Sequence, residues 1–230
     1  MKKGVSLFAI PYLVLFVCTP LLLLLSNLYI LVTPTFVHYE YGKADFPPAA
    51  LYSAEDRLRL AEDTVHYLRS GEGVDYLRHL RAGETAVYND REIKHLIDVK
   101  AVMQVAFLIH ALCAVLCGLA LLAAWRRPSE RSHALKAMCG GCVTFLALLA
   151  LIGAVAYTSF DVFFVAFHRI FFEGTSWLFL YSDTLIQLFP VQFWMDATCA
   201  LTLLTVGECI MVGAAACALS RRLRVAHDHS

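Results

Sequence analysis

The chain has 230 residues, 59% of them hydrophobic, with a mean hydropathy of +0.63 and a formal net charge of zero. That composition is too apolar for a water-soluble globular chain, so a lipid bilayer is the expected solvent and nucleic acid is not an expected partner.

A helix needs about 20 mostly apolar residues to cross the hydrocarbon core. Four stretches have that length: Ser6 to Val32, Ala101 to Trp125, Met138 to Tyr157 and Ala197 to Leu219. The first follows Lys2 and Lys3, as a signal peptide would, but it is too long for a signal core and no small-x-small cleavage site follows it. It reads as an uncleaved anchor. Cys18 is not expected to be lipidated, because bulky Phe16 and Val17 precede it.

Basic residues set the expected orientation. Lys2 and Lys3, then Arg126, Arg127, Arg131 and Lys136, then Arg221, Arg222 and Arg224, form three clusters at span ends and place both termini in the cytosol. The expected organisation is transmembrane helix 1 at 4–32, an extracytoplasmic helical domain at 33–99, helix 2 at 100–125, a cytoplasmic loop at 126–136, helix 3 at 137–158, an extracytoplasmic interfacial or re-entrant segment at 159–196, helix 4 at 197–219 and a cytoplasmic tail at 220–230. The fold class is an all-α membrane protein with four transmembrane helices. A bacterial cytoplasmic membrane, with any active site on the outer face, is the expected location.

In the outer domain, Pro34, Pro47 and Pro48 predict an extended start. A short helix follows. Ser53 with Asp56 marks its beginning, Leu58, Ala61, Val65 and Leu68 form its apolar stripe, and Gly71 ends it. The stripe needs a cover, either the membrane surface or the rest of the outer domain. Asn89 with Glu92 marks a second helix start, and nothing from Asp90 to Trp125 breaks that helix, which predicts a rod of about 50 Å whose first three turns project from the bilayer.

The eight cysteines all lie in or beside spans, which predicts no disulfide framework. Cys139-Gly-Gly-Cys142 has redox or metal spacing but lacks a second pair, so small-residue helix packing is the expected role. Thirteen of the 28 aromatic residues fall between Tyr157 and Trp194, a bias that marks a membrane interface. Trp177, Trp194 and Tyr181 are the expected lipid- or substrate-contacting members, and Gly174 and Pro190 the expected breaks between short helices.

Ionisable residues at this depth are functional candidates. His95 and Asp98, three apart on a helix, are expected to pair; Asp161 and His168, seven apart, share a helix face. Asp183 and Asp196 lie near span 4. Two His–carboxylate pairs can exchange protons near neutral pH, though interfacial histidines bonded to backbone or lipid are the bland alternative. A metal is not expected, since no HxxxH or HExxH spacing occurs, and no cofactor motif is present. His110 and Glu208, deep in spans, are expected to make helix-packing hydrogen bonds.

The run Asn89-Asp90-Arg91-Glu92-Ile93-Lys94-His95-Leu96-Ile97-Asp98-Val99-Lys100 resembles a segment of the bacterial membrane family that includes lipoprotein intramolecular transacylases, Lit. A second run, Phe167-His168-Arg169-Ile170-Phe171-Phe172 followed by Trp177, Asp183-Thr184-Leu185-Ile186, Phe189-Pro190 and Phe193-Trp194, resembles that family's other signature. The resemblance implies an acyltransferase that moves the sn-2 acyl chain of a diacylglyceryl-modified cysteine to that cysteine's α-amine, giving a lyso-form lipoprotein. It implies His95 and His168 as catalytic residues. His95, oriented by Asp98, is the expected base, and His168 the acid or oxyanion stabiliser. Asp161, Arg169 and Asp183 are expected to orient groups or stabilise charge. The expected partners are diacylglyceryl lipoproteins and membrane lipid, and the chain is expected to act as a monomer. A small transporter or a non-catalytic scaffold are the competing readings.

Overall fold

The computed structural model describes residues 9–48 and 50–228; Lys2 and Lys3, and the start of the predicted first span, lie outside them. The described chain is almost entirely helical. In order come α1 (Ile10–Ser26), α2 (Leu28–Leu31), α3 (Pro34–Tyr41), α4 (Ala54–Arg69), α5 (Val74–His79), a two-residue hairpin of β1 (Arg81–Ala82) and β2 (Thr85–Ala86), α6 (Asp90–Trp125), α7 (Pro128–Thr158), α8 (Phe160–Phe171), α9 (Thr184–Leu188) and α10 (Val191–Asp228). Four segments are long and apolar enough to span a membrane: Ile10–Leu31, Asp90–Trp125, Pro128–Thr158 and Val191–Val225. The chain is a multi-pass membrane protein.

The helices are divided between two compact units. Among the described residues, one comprises 9–27, Phe107–Ala154 and 201–228; the other comprises Leu28–Ala106 and Val155–Ala200.

The first unit is packed inside out relative to a soluble bundle. Its interior holds small side chains, Cys117, Ala120, Ala124 and Ala134 around Leu15, whereas Leu108, Leu112, Val115 and Leu119 are half exposed. Lipid tails are as apolar as leucine, so close backbone approach rather than leucine burial drives such packing. Gly141 shows how close that approach is: a Cβ there would run into the Phe16 backbone carbonyl. The polar residues are bonded across helices. The Ser26 hydroxyl meets His110 Nε2 at 3.0 Å, and Asn27 Nδ2 donates to Thr205 Oγ1 at 3.2 Å and to Glu208 Oε2 at 2.9 Å. The expectation of helix-packing hydrogen bonds for His110 and Glu208 holds.

The cysteine expectation needs correction. Cys139 and Cys217 are joined by a disulfide, with Cα atoms 5.8 Å apart. The two lie 78 residues apart on α7 and α10, helices so close that a Cβ at Gly213 would meet Cys142 Cβ at 3.2 Å. Local spacing carries no trace of that apposition.

In the second unit, α4 starts where expected, with Ser53 Oγ accepting from the Asp56 amide at 3.1 Å. Of the expected stripe Ala61 and Val65 are buried, together with Leu60 and Thr64, while Leu58 and Leu68 are only half-buried; α3 and α9 cover it, so the rest of the domain supplies the cover. The extended start predicted from Pro34 is wrong. Thr33 caps α3 by accepting from the Phe36 amide at 3.2 Å, and Pro34 occupies the first turn, where its missing N–H removes no helical bond. Arg57, 5% exposed, fastens α4: Nε donates to the Gln187 carbonyl at 2.8 Å and Nη1 to the Pro47 carbonyl at 2.6 Å, and the guanidinium stacks on Tyr41 and Phe46.

Gly141→Ala is expected to lower stability by about 1–3 kcal/mol through overpacking. Thermal unfolding in detergent should show its midpoint falling by about 2–10 °C, while Gly118→Ala, whose added Cβ meets nothing within 4 Å, leaves it in place.

Candidate active site

The long helix α6 begins with a reciprocal cap. The Asn89 amide donates to Glu92 Oε2 at 2.9 Å, and the Glu92 amide donates to Asn89 Oδ1 at 3.1 Å, as the spacing of those residues predicts. Glu92, 1% exposed, then uses its other oxygen on a different element, accepting from the Leu185 amide at 2.8 Å at the start of α9. Asp183, just before α9, returns the contact. Its carboxylate accepts from Asn89 Nδ2 at 3.2 Å, Arg91 Nη2 at 2.5 Å and the Leu180 amide at 2.6 Å. Two carboxylates therefore cross-strap the first turn of α6 to the segment 180–185.

One turn beyond the strap stands His95, 8% exposed, its ring 6.2 Å from that of His168 and inclined to it by only 22°. Phe172 and Phe179 meet the His95 ring edge-on at 4.9 and 5.3 Å. Phe164, Trp177 and Phe172 lie 4.0, 5.0 and 5.5 Å from the His168 ring. The Arg91 guanidinium, fixed by Asp183, stacks on Phe179 at 5.6 Å, so the strap also holds one wall of the cage.

The two imidazoles differ in their bonds. Nδ1 of His168, also 8% exposed, donates to the Phe164 carbonyl at 2.8 Å. A carbonyl can only accept, so the proton sits on Nδ1 and the lone pair on Nε2. His95 Nδ1 is buried without a partner. His168, on α8, lies outside the four candidate spans and has depressed basicity. Burial lowers it, and the bond to Phe164 opposes that shift.

The expected His–carboxylate pairs do not form. Asp98 is half-buried and makes no hydrogen bond or ion pair among the described residues, because the His95 ring turns into the aromatic cage rather than along its own helix. Asp161 does share a continuous helix with His168, but it is exposed two turns away, and Phe164 takes the Nδ1 proton instead. Asp161 and Arg169 are two ends of a shallow surface on α8 with Val162, Val165 and Ala166. Asp183 is at the strap. Asp196 pairs with Lys43 at 2.9 Å. Trp177 is buried in the cage, while Trp194 is half exposed with its Nε1 donating to the Phe189 carbonyl at 3.1 Å, and Tyr181 is exposed. Arg91 and Phe172 stand in the two runs that resemble the family without an expected role there, and Phe179, two residues after Trp177, was not singled out.

Among the described residues no cluster of three or more His, Cys, Asp or Glu is arranged to hold a metal ion. The fold and site define a multi-pass, all-α membrane protein with two histidines enclosed by aromatic rings. Residues 12–194 match the family described as lipoprotein intramolecular transacylase Lit. The chain belongs to that family and is an acyltransferase. It is 31% identical over 175 residues to an uncharacterised protein of Aquifex aeolicus, covering 74% of this chain and 76% of that one. Its fold is similar to that of the membrane integral lipoprotein intramolecular transacylase Lit from Bacillus cereus, with a TM-score of 0.75 at 18% identity over 97% of each chain. A form of the same protein with a histidine-to-alanine mutation matches with a TM-score of 0.64, at 18% identity over 96% of this chain and 95% of that one.

Removing either carboxylate should free the amide it holds. Asp183→Ala is expected to speed hydrogen exchange at the Leu180 amide of its own segment, and Glu92→Ala at the Leu185 amide across the strap, each by about tenfold or more, since a lost bond to a charged group is worth about 1.5–3 kcal/mol. Unchanged protection at Leu185 would overturn the strap.

Proposed function

We propose that this chain moves the sn-2 acyl chain of a diacylglyceryl-modified N-terminal cysteine onto the α-amine of the same cysteine, leaving a lyso-form lipoprotein. The observation that carries the reading is His168: Nδ1–H is held by the Phe164 carbonyl, leaving Nε2 as a lone-pair base beside a second, neutral imidazole. The aromatic walls suit an acyl chain and exclude water that would otherwise hydrolyse the ester.

The neutral α-amine attacks the ester carbonyl carbon. One amine proton passes to His168 Nε2, and the carbonyl electrons move onto oxygen. When the tetrahedral intermediate collapses, the amide carbonyl reforms, the bond to the sn-2 glyceryl oxygen breaks, and His168 returns the proton to that oxygen. His95 has the other role. An unpaired buried lone pair is the better-tolerated state of its Nδ1, so its proton sits on Nε2, where it is a neutral donor to the carbonyl oxygen. This reverses the base and acid assigned from sequence, because no carboxylate supports His95. Since donor and acceptor share one molecule, orientation can supply about 7–11 kcal/mol of barrier lowering at best.

The same reading places the site at the outer leaflet of a bacterial cytoplasmic membrane with both termini cytosolic, supported by Arg126, Arg127 and Arg131 at one helix junction and Arg221, Arg222 and Arg224 near the end of α10. It takes the monomer as the working form.

Mass spectrometry of a diacylglyceryl lipopeptide, made in a bacterium without other N-acylation, tests this. One fatty acid should move to the α-amine at constant acyl count, and His95→Ala or His168→Ala should abolish the move. A lipopeptide left unchanged by well-expressed native chain would end the proposal.

The pH profile tests the base. A depressed His168 pKa keeps Nε2 free to lower pH, and activity is lost as the pH falls through the folded value. Turnover should fall about one decade per unit once the substrate amine protonates, near pH 7.7–8.0, and two decades per unit only below about pH 6.5. A second break above that value, or none, would point to a different base.

A further inference from the structure

Buried polar side-chain atoms nearly always find a hydrogen-bond partner. Among the described residues five do not: Thr19 Oγ1, Asn27 Oδ1, His95 Nδ1, Ser176 Oγ and Trp177 Nε1. Three of the five belong to the histidine cage or to the turn that forms its wall. For His95 a choice of tautomer eases the deficit, and a hydroxyl such as Ser176 can rotate. Trp177 has neither escape, because an indole nitrogen is a donor only.

An interfacial anchoring role does not explain this atom. A belt tryptophan keeps its N–H in the wet headgroup layer, but Trp177 is 8% exposed with Nε1 sealed from solvent. Trp194 is the contrast: it is 42% exposed and its N–H is already spent on a backbone carbonyl. Nor is Trp177 loosely placed. Gly174 at φ +66° and the Leu178 amide bond to the Thr175 carbonyl at 3.0 Å shape the turn that carries it, and its ring lies 5.0 Å from that of His168.

We infer that Trp177 is a catalytic residue whose Nε1–H donates a hydrogen bond to the substrate's acyl carbonyl oxygen as that oxygen becomes the oxyanion of the tetrahedral intermediate. The inference rests on the acyl transfer proposed above and adds a second donor to His95. No atom is exchanged with the indole. The carbonyl electrons move onto oxygen when the C–N bond forms and return when the C–O bond to glycerol breaks, while the N–H stays in place and its bond is strongest in between. An unpaired donor in a dry cage is organised before substrate arrives, which is what makes such a donor effective.

The test uses the full-length chain, a synthetic dipalmitoylglyceryl-cysteine peptide in detergent micelles, and 3-benzothienylalanine in place of Trp177, which keeps the ring shape and replaces N–H by sulfur. Turnover is expected to fall about 10²–10³-fold with KM unchanged, the size expected for one oxyanion donor. Trp177→Phe should lose at least as much. Native turnover in the benzothienyl variant overturns the inference, as does a loss accompanied by an equal rise in KM and a lowered unfolding temperature, which marks a packing role. His168→Ala separates the two levels. If the native chain is active and His168→Ala is not, a fully active benzothienyl variant refutes Trp177 alone. If the native chain leaves the peptide unchanged, the acyl-transfer reading falls and this inference falls with it.

Discussion

The exchange of carboxylates between Glu92 and Asp183 is the constraint on which the second unit depends. Glu92 sits on α6 and bonds an amide at the start of α9, while Asp183 sits before α9 and bonds Asn89 and Arg91 at the start of α6. Glu92 satisfies backbone amides at both helix starts, where unpaired N–H groups and the positive end of the helix dipole favour negative charge, while Asp183 takes the Asn89 and Arg91 side chains. The two helix starts are thereby locked together. Phe179 and Trp177, a few residues before the strap, are held against histidines that lie on α6 and α8.

The first unit solves a different problem with different chemistry. In lipid there is little hydrophobic reward for burying leucine, so its helices meet through Gly141, alanines and cysteines, and the large apolar residues face outward. The few polar groups in this medium are bonded to one another, Asn27 serving both Thr205 and Glu208. A disulfide between Cys139 and Cys217 adds a covalent tie between α7 and α10.

The histidines illustrate how burial can replace a carboxylate. A His–Asp pair holds an imidazole by charge, fixing its tautomer and stabilising its protonated form. Here the tautomer of His168 is fixed by a backbone carbonyl and the rings are wedged by phenylalanines, so both imidazoles rest neutral. On the proposed reading this suits a reaction whose base must be unprotonated and whose second imidazole acts by donating. Hydrogen bonds to a developing charge are also stronger where water is excluded.

The four spans, the helix start at Asn89 and Glu92 and half of the α4 stripe, Ala61 and Val65, were legible in the chain, because span length, helix caps and side-chain periodicity are properties of residues close in sequence. The resemblance to a family was legible too, in two separated runs. What the sequence could not express was partner choice. Asp98 stood three residues from His95 and yet is not its partner; Asp183 stood 92 residues from Arg91 and is bonded to it. Pro34 was read as a helix breaker and sits in a first helical turn. Cys139 and Cys217, 78 residues apart, became a disulfide. Local spacing decides which face of a helix a side chain occupies. Only the docking of that face against another element decides whether a neighbouring carboxylate, a distant one or an aromatic ring fills the space around it.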